Sequence, residues 1–74
     1  MSHWSDCEAV EQVPGKMGGA LVFRGTRVPV AALFENLQGR ASIDQFLDWF
    51  PGVSREQVIS VLSHETDIAK QTVA

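Results

Sequence analysis

Two arginines flank a glycine and a threonine in the stretch Arg24-Gly25-Thr26-Arg27. A guanidinium presents a planar fork of donors that matches a carboxylate through two parallel hydrogen bonds, so either arginine could grip an acidic group on a partner. The same fork can instead bond the carbonyls at a helix C-terminus, or Glu35, and hold the turn in place within the chain. A second set of polar residues is Arg55, Gln57, Ser60 and His64, accompanied by Glu56 and Ser63. Arginine, glutamine and serine can read base edges in a major groove. Glu56 would oppose phosphate, and an ordinary solvated face explains the same residues. Trp49 stands beside Phe50, and only one of the two can lie on the same helical stripe. Trp49 is therefore the candidate interface aromatic, tryptophan being enriched among residues that dominate binding energy. The other reading has it covering the β element within one protomer.

Catalysis and metal binding find little support. Cys7 has His3 four residues away, but that segment shows no helical stripe, and a cysteine–histidine pair also needs an oriented base and an oxyanion site. His64-Glu65 is isolated, and a metal site needs three or four ligands at set spacing. The expectation is a non-enzymatic chain with no catalytic residue, no cofactor and no metal.

The elements that must position these residues follow from periodicity. Val10-Glu11-Gln12-Val13, a short run without strict alternation, and Ala20 to Phe23, a continuous apolar run, are separated by Pro14-Gly15 and Gly18-Gly19, which predicts a hairpin of two short strands. Gly25 places a turn or bulge after the second strand. Val28 precedes Pro29 and is extended, and Pro29 suits the opening turn of a helix. Three helices follow. Val30, Leu33, Phe34 and Leu37 fall on one face of the first, with Gly39 at its C′ position. Ser42 and Gln45 form a capping box for the second, whose stripe is Ile43, Phe46, Leu47 and Phe50. Pro51-Gly52 stops it. Ser54 and Gln57 repeat the box for the third, Val53 staples to Val58, and Val58, Val61 and Leu62 make its buried stripe. Ile59 lies off that stripe and could face a partner.

The predicted fold is mainly α: a short N-terminal β-hairpin or strand pair, then a three-helix, helix-turn-helix-like bundle. It forms a single domain over 1–74, with a flexible arm at 1–9, a β element at 10–28, the bundle at 29–66 and a tail at 67–74 that frays by about Lys70. Trp4 is expected to dock on something apolar. A helix-turn-helix layout is common among small DNA-binding domains but is not confined to them.

Composition narrows the classes. With 74 residues the chain has room for one marginal core, which favours a homodimer. Strands pairing across two chains would remove an exposed edge. The hydrophobic share of 45% and charged share of 20% are those of a globular domain. A single cysteine and the lack of any apolar run of membrane-spanning length point to the cytoplasm, with no membrane partner. The net charge is −3, and the six basic residues are scattered, which counts against tight DNA binding by a monomer.

Gly19 to Val30, reading Gly-Ala-Leu-Val-Phe-Arg-Gly-Thr-Arg-Val-Pro-Val, resembles the signature of the domain-of-unknown-function 433 family, typically Gly-Lys-Pro-Val-Ile-Arg-Gly-Thr-Arg-Ile-Pro-Val. Gly39 to Val58 also resembles the family, with its glycine, capping serine, acidic-aromatic-proline stop and second capped helix. The likeness spans about residues 10 to 64. Ala20-Leu21 stands where the family has Lys-Pro, which leaves a basic charge out of this segment. The resemblance implies an antitoxin that binds and neutralises a nuclease toxin with a PIN-like fold, Arg24 or Arg27 entering the metal-binding carboxylates of that enzyme. It also implies, as the alternative, a transcriptional regulator that binds operator DNA and acts on its own promoter.

Overall fold

A computed structural model describes Trp4 and residues 7–72 of the chain, with the backbone alone from 67 onward. His3 and Val73 lie outside the described residues. Strands β1 (Val10–Gln12) and β2 (Leu21–Phe23) form an antiparallel hairpin, followed by helices α1 (Val30–Gln38), α2 (Ile43–Trp49) and α3 (Arg55–Thr72). The register pairs Val10 with Phe23, Glu11 with Val22 and Gln12 with Leu21. The hairpin is thus closed within one chain. Beyond it, Val22 makes an isolated bridge to Pro29 on the far side of β2.

Pairing of β1 across two chains has little left to use. The outer carbonyl of Val10 accepts from Arg24, and its N–H reaches the Cys7 carbonyl at 3.4 Å. With those groups engaged, the edge offers no continuous row of donors and acceptors to a second strand.

The helices start where their caps dictate. The Ser42 hydroxyl accepts the Gln45 N–H at 3.1 Å while the Gln45 side chain accepts the Ser42 N–H at 2.8 Å. Ser54 and Gln57 reproduce the pair at 3.1 and 3.0 Å. Each box satisfies two N–H groups that a helix N-terminus otherwise leaves without partners. Pro29 acts as the N-cap of α1 rather than its first helical residue, with φ −63° and ψ 140°.

The end of α1 differs from the expected glycine cap. Gly39 has φ −80°, and Arg40 takes the left-handed conformation at φ 71°. The Arg40 N–H bonds the Leu37 carbonyl and the Ala41 N–H bonds the Asn36 carbonyl, both at 3.0 Å. That is the paired bonding of a Schellman motif, which places Arg40, not Gly39, at C′. The glycine sits one position too early to serve. The tail also departs from expectation, because α3 runs on past Lys70 to Thr72.

The core joins the layers through aromatic rings. Phe46 of α2 is fully buried, with its ring centroid 6.0 Å from Phe23 of β2 and 4.8 Å from Phe50. Leu33, Val58 and Val61 complete the contact of the three helices, and all three are fully buried. Each such side chain contributes about 1.5–3 kcal/mol by leaving water. The arm expected at 1–9 is drawn too long in one respect. Cys7 is only 7% exposed and belongs to the core, and Trp4 packs against it. No periodicity marks this segment; a turn does the work, with the Cys7 N–H on the Trp4 carbonyl at 3.0 Å. No helix among the described residues is long and apolar enough to cross a membrane.

Candidate partner-binding surface

The Arg24-to-Arg27 stretch is a tightly bonded turn. The Thr26 N–H donates to the Phe23 carbonyl at 3.0 Å, and Gly25 at the third position has φ 78°. A positive φ there is what a type II turn requires, and glycine reaches it without a steric clash. The Thr26 hydroxyl donates to the Phe23 carbonyl at 2.8 Å and accepts the Val28 N–H at 3.0 Å. The Phe23 N–H closes the loop on the Val28 carbonyl at 3.0 Å.

Within this frame the two arginines part company. Arg24 stays exposed but folds back along the β element: its Nε donates to the Glu8 carbonyl at 2.7 Å and its Nη2 to the Val10 carbonyl at 2.9 Å. It thereby performs the holding role, on carbonyls of the β element rather than on a helix end or Glu35. Arg27 is exposed and makes no hydrogen bond or ion pair among the described residues. It lines a surface depression of about 460 Å³ together with Pro14, Gly15, Lys16 and Met17.

Glu11 is the residue that sequence reasoning missed. Its carboxylate accepts Lys16 Nζ and the Gly25 N–H, each at 2.9 Å, and stands 4.0 Å from Arg24 Nη1. These contacts hold its pKa below the usual carboxylate range, the Lys16 bond first and the Gly25 N–H next. Lys16 is thereby neutralised, which leaves Arg27 as the unopposed charge of the depression. A lone acid between Gln12 and Val10 in a short strand was the available signal, but its partners depend on the register.

The helical candidates are mostly engaged. Arg55 is ion-paired with Asp44 across the α2–α3 corner. The ring of His64 lies 4.8 Å from that of Trp4, which also packs against the apolar core where docking was expected. Gln57 requires a correction. Its side-chain oxygen serves the capping box, and its Nε2 donates to the Arg24 carbonyl at 3.1 Å and approaches the Ala9 carbonyl at 3.5 Å. Both N–H donors are so occupied and only one acceptor site of its oxygen remains, so the paired donor-and-acceptor contact with a base edge is not open to it in this arrangement. Ser60 alone of the four is exposed with a side chain that makes no hydrogen bond among the described residues. Trp49 is 57% exposed and does not cover the hairpin. The Pro51-Gly52 corner that follows it rests on the arginine turn, since a Cβ on Gly52 would stand 3.8 Å from Thr26 Cγ2. Ile59 is 51% exposed. Among the described residues no group of three histidine, cysteine, aspartate or glutamate side chains could hold a metal.

The family described as "Protein of unknown function (DUF433)" matches residues 10–64, which is most of the chain. The chain belongs to the DUF433 family. The matched segment takes in both strands, the arginine turn, α1, α2 and the first half of α3, and so contains every part of the DUF433 surface described above except Trp4, Glu8 and Ala9. No curated protein and no solved structure matches the chain.

Proposed function

We propose that the protein is the antitoxin of a toxin–antitoxin pair, and that it binds and neutralises a PIN-like nuclease through the surface that carries Arg27 and Trp49. The observation that carries this reading is the guanidinium of Arg27, without a partner among the described residues, beside a turn held by the bonds of Gly25, Thr26 and Val28. A rigid turn presents the charge without the entropic loss of ordering a loop, which is what preorganised recognition needs. The carboxylates that bind metal in a nuclease are a matching target, because a guanidinium fork bonds them in bidentate fashion and competes with the cation. Membership of the DUF433 family supports the reading through the resemblance that the family carries. Trp49, beyond the corner that rests on Thr26, adds a large apolar anchor. A cytoplasmic homodimer is part of the same reading, supported by the small core and the exposed Ile59. The DNA-binding alternative draws no support from the helices, where Arg55, Gln57 and His64 already have internal partners.

The test is a ribonuclease assay on the PIN-like product of the neighbouring gene, with and without the chain. Wild-type chain abolishes cleavage. Arg27→Ala loses inhibition by about 10-fold or more at an unchanged circular dichroism spectrum and Tm, the expected scale for removing one charged contact of an interface. Arg24→Ala lowers Tm instead, because the Glu8 and Val10 carbonyls lose their donors. Full inhibition by Arg27→Ala would sink the proposal.

A further inference from the structure

We infer that Met17 is part of the same interface, and that the partner surface meeting Arg27 carries an apolar pocket beside its carboxylate. The inference rests on the reading that Arg27 engages a protein. Met17, Gly18 and Gly19 follow one another at φ 52°, 67° and 81°, three consecutive left-handed residues in the hairpin loop. The turn is bonded, with the Gly19 N–H on the Lys16 carbonyl at 3.0 Å and the Ala20 N–H on the Met17 carbonyl at 3.2 Å. Glycine takes this conformation without penalty, whereas a side chain is strained there. Two of the three positions are glycine and the third is not.

Nothing among the described residues explains that side chain. Met17 is 49% exposed and is no member of the hydrophobic core or of the shell packed on it. A strained residue whose side chain contributes nothing to its own core points to use outside it. Met17 lines the same depression as Arg27, and the charge of Lys16, which also lines it, is taken by Glu11. A flexible thioether beside one free guanidinium fits a carboxylate flanked by apolar surface; methionine and arginine are both enriched in protein interfaces. Arg40 is the useful contrast. It is strained in the same way at φ 71°, but its polar side chain is at home in water and it lies at the end of α1.

The test compares Met17→Gly, Met17→Asn and Arg40→Gly, with Tm read alongside inhibition of the purified PIN-like nuclease. Glycine and asparagine both accept the left-handed conformation, so the loop keeps its course while the thioether is lost. Met17→Gly raises Tm by a few degrees, the scale expected for a domain of this size, while its inhibition constant weakens by about 5-fold or more. Met17→Asn weakens inhibition similarly. Arg40→Gly raises Tm and leaves inhibition unchanged. A Met17→Gly chain that inhibits as well as wild type overturns the inference, and if Arg27→Ala still fails to inhibit, the wider reading stands. A lower Tm for Met17→Gly overturns it also, by removing the strain on which it rests. Failure of the wild-type chain to inhibit the nuclease removes both.

Discussion

At the scale of single residues, Glu11 decides how the turn behaves in acid. Its pKa is depressed in the folded chain, chiefly by Lys16 and then by the Gly25 N–H. Unfolding therefore returns it to a higher value and takes up a proton in acid. Its contribution to stability is fully present above the ordinary carboxylate value and is lost as pH falls through that region towards the depressed one. Between about pH 5 and about pH 3 the Tm of the wild type should fall more steeply than that of Glu11→Gln. Equal slopes would show that the carboxylate is not the sensitive group. None of this could be read along the chain. Arg24 and Arg27 look equivalent in the sequence, and only the β1–β2 register, which sets Ala9 opposite Arg24 through the N–H bond of 2.9 Å, ties one to the β element and leaves the other without a partner among the described residues.

Among the elements, the two capping boxes offer an internal comparison. Ser42–Gln45 and Ser54–Gln57 have the same local bonds, but only Gln57 also reaches the β element, through the Arg24 carbonyl. Gln45→Ala should cost about 0.5–1 kcal/mol, the scale of a partial cap. Gln57→Ala should cost about 1 kcal/mol more, the typical net value of one further hydrogen bond. Urea denaturation of both variants measures the difference, and equal losses would mean that the link from α3 to the turn is not energetically real. The caps and the stripes of α1, α2 and α3 were legible because they depend on residues three and four apart. Val30, Leu33, Phe46, Val58 and Val61 all fall in the core where periodicity put them. The C-terminus of α1 was misread because a glycine in sequence is a weaker fact than the bonding pattern, which selected Arg40. Cys7 was misread for the opposite reason: a non-periodic segment can still be buried by a single turn and a docked Trp4.

For the molecule as a whole, the core is small, and a protomer of 8.1 kDa gains much of its stability from any partner that binds only the folded form. Sedimentation equilibrium should return about 16 kDa, twice that mass, and Tm should rise with protein concentration as mass action demands. A concentration-independent Tm with the monomer mass would exclude the homodimer. The division between the two arginines bears on how such a protein changes its allegiance. Arg24 is built into the scaffold, so its replacement disturbs the hairpin and α3 together. Arg27 and Met17 carry no scaffold contacts among the described residues beyond the backbone of their turns. Under the proposed reading, substitution at those two positions should leave the fold intact, so that a lineage could exchange one partner for another there without first passing through an unstable intermediate.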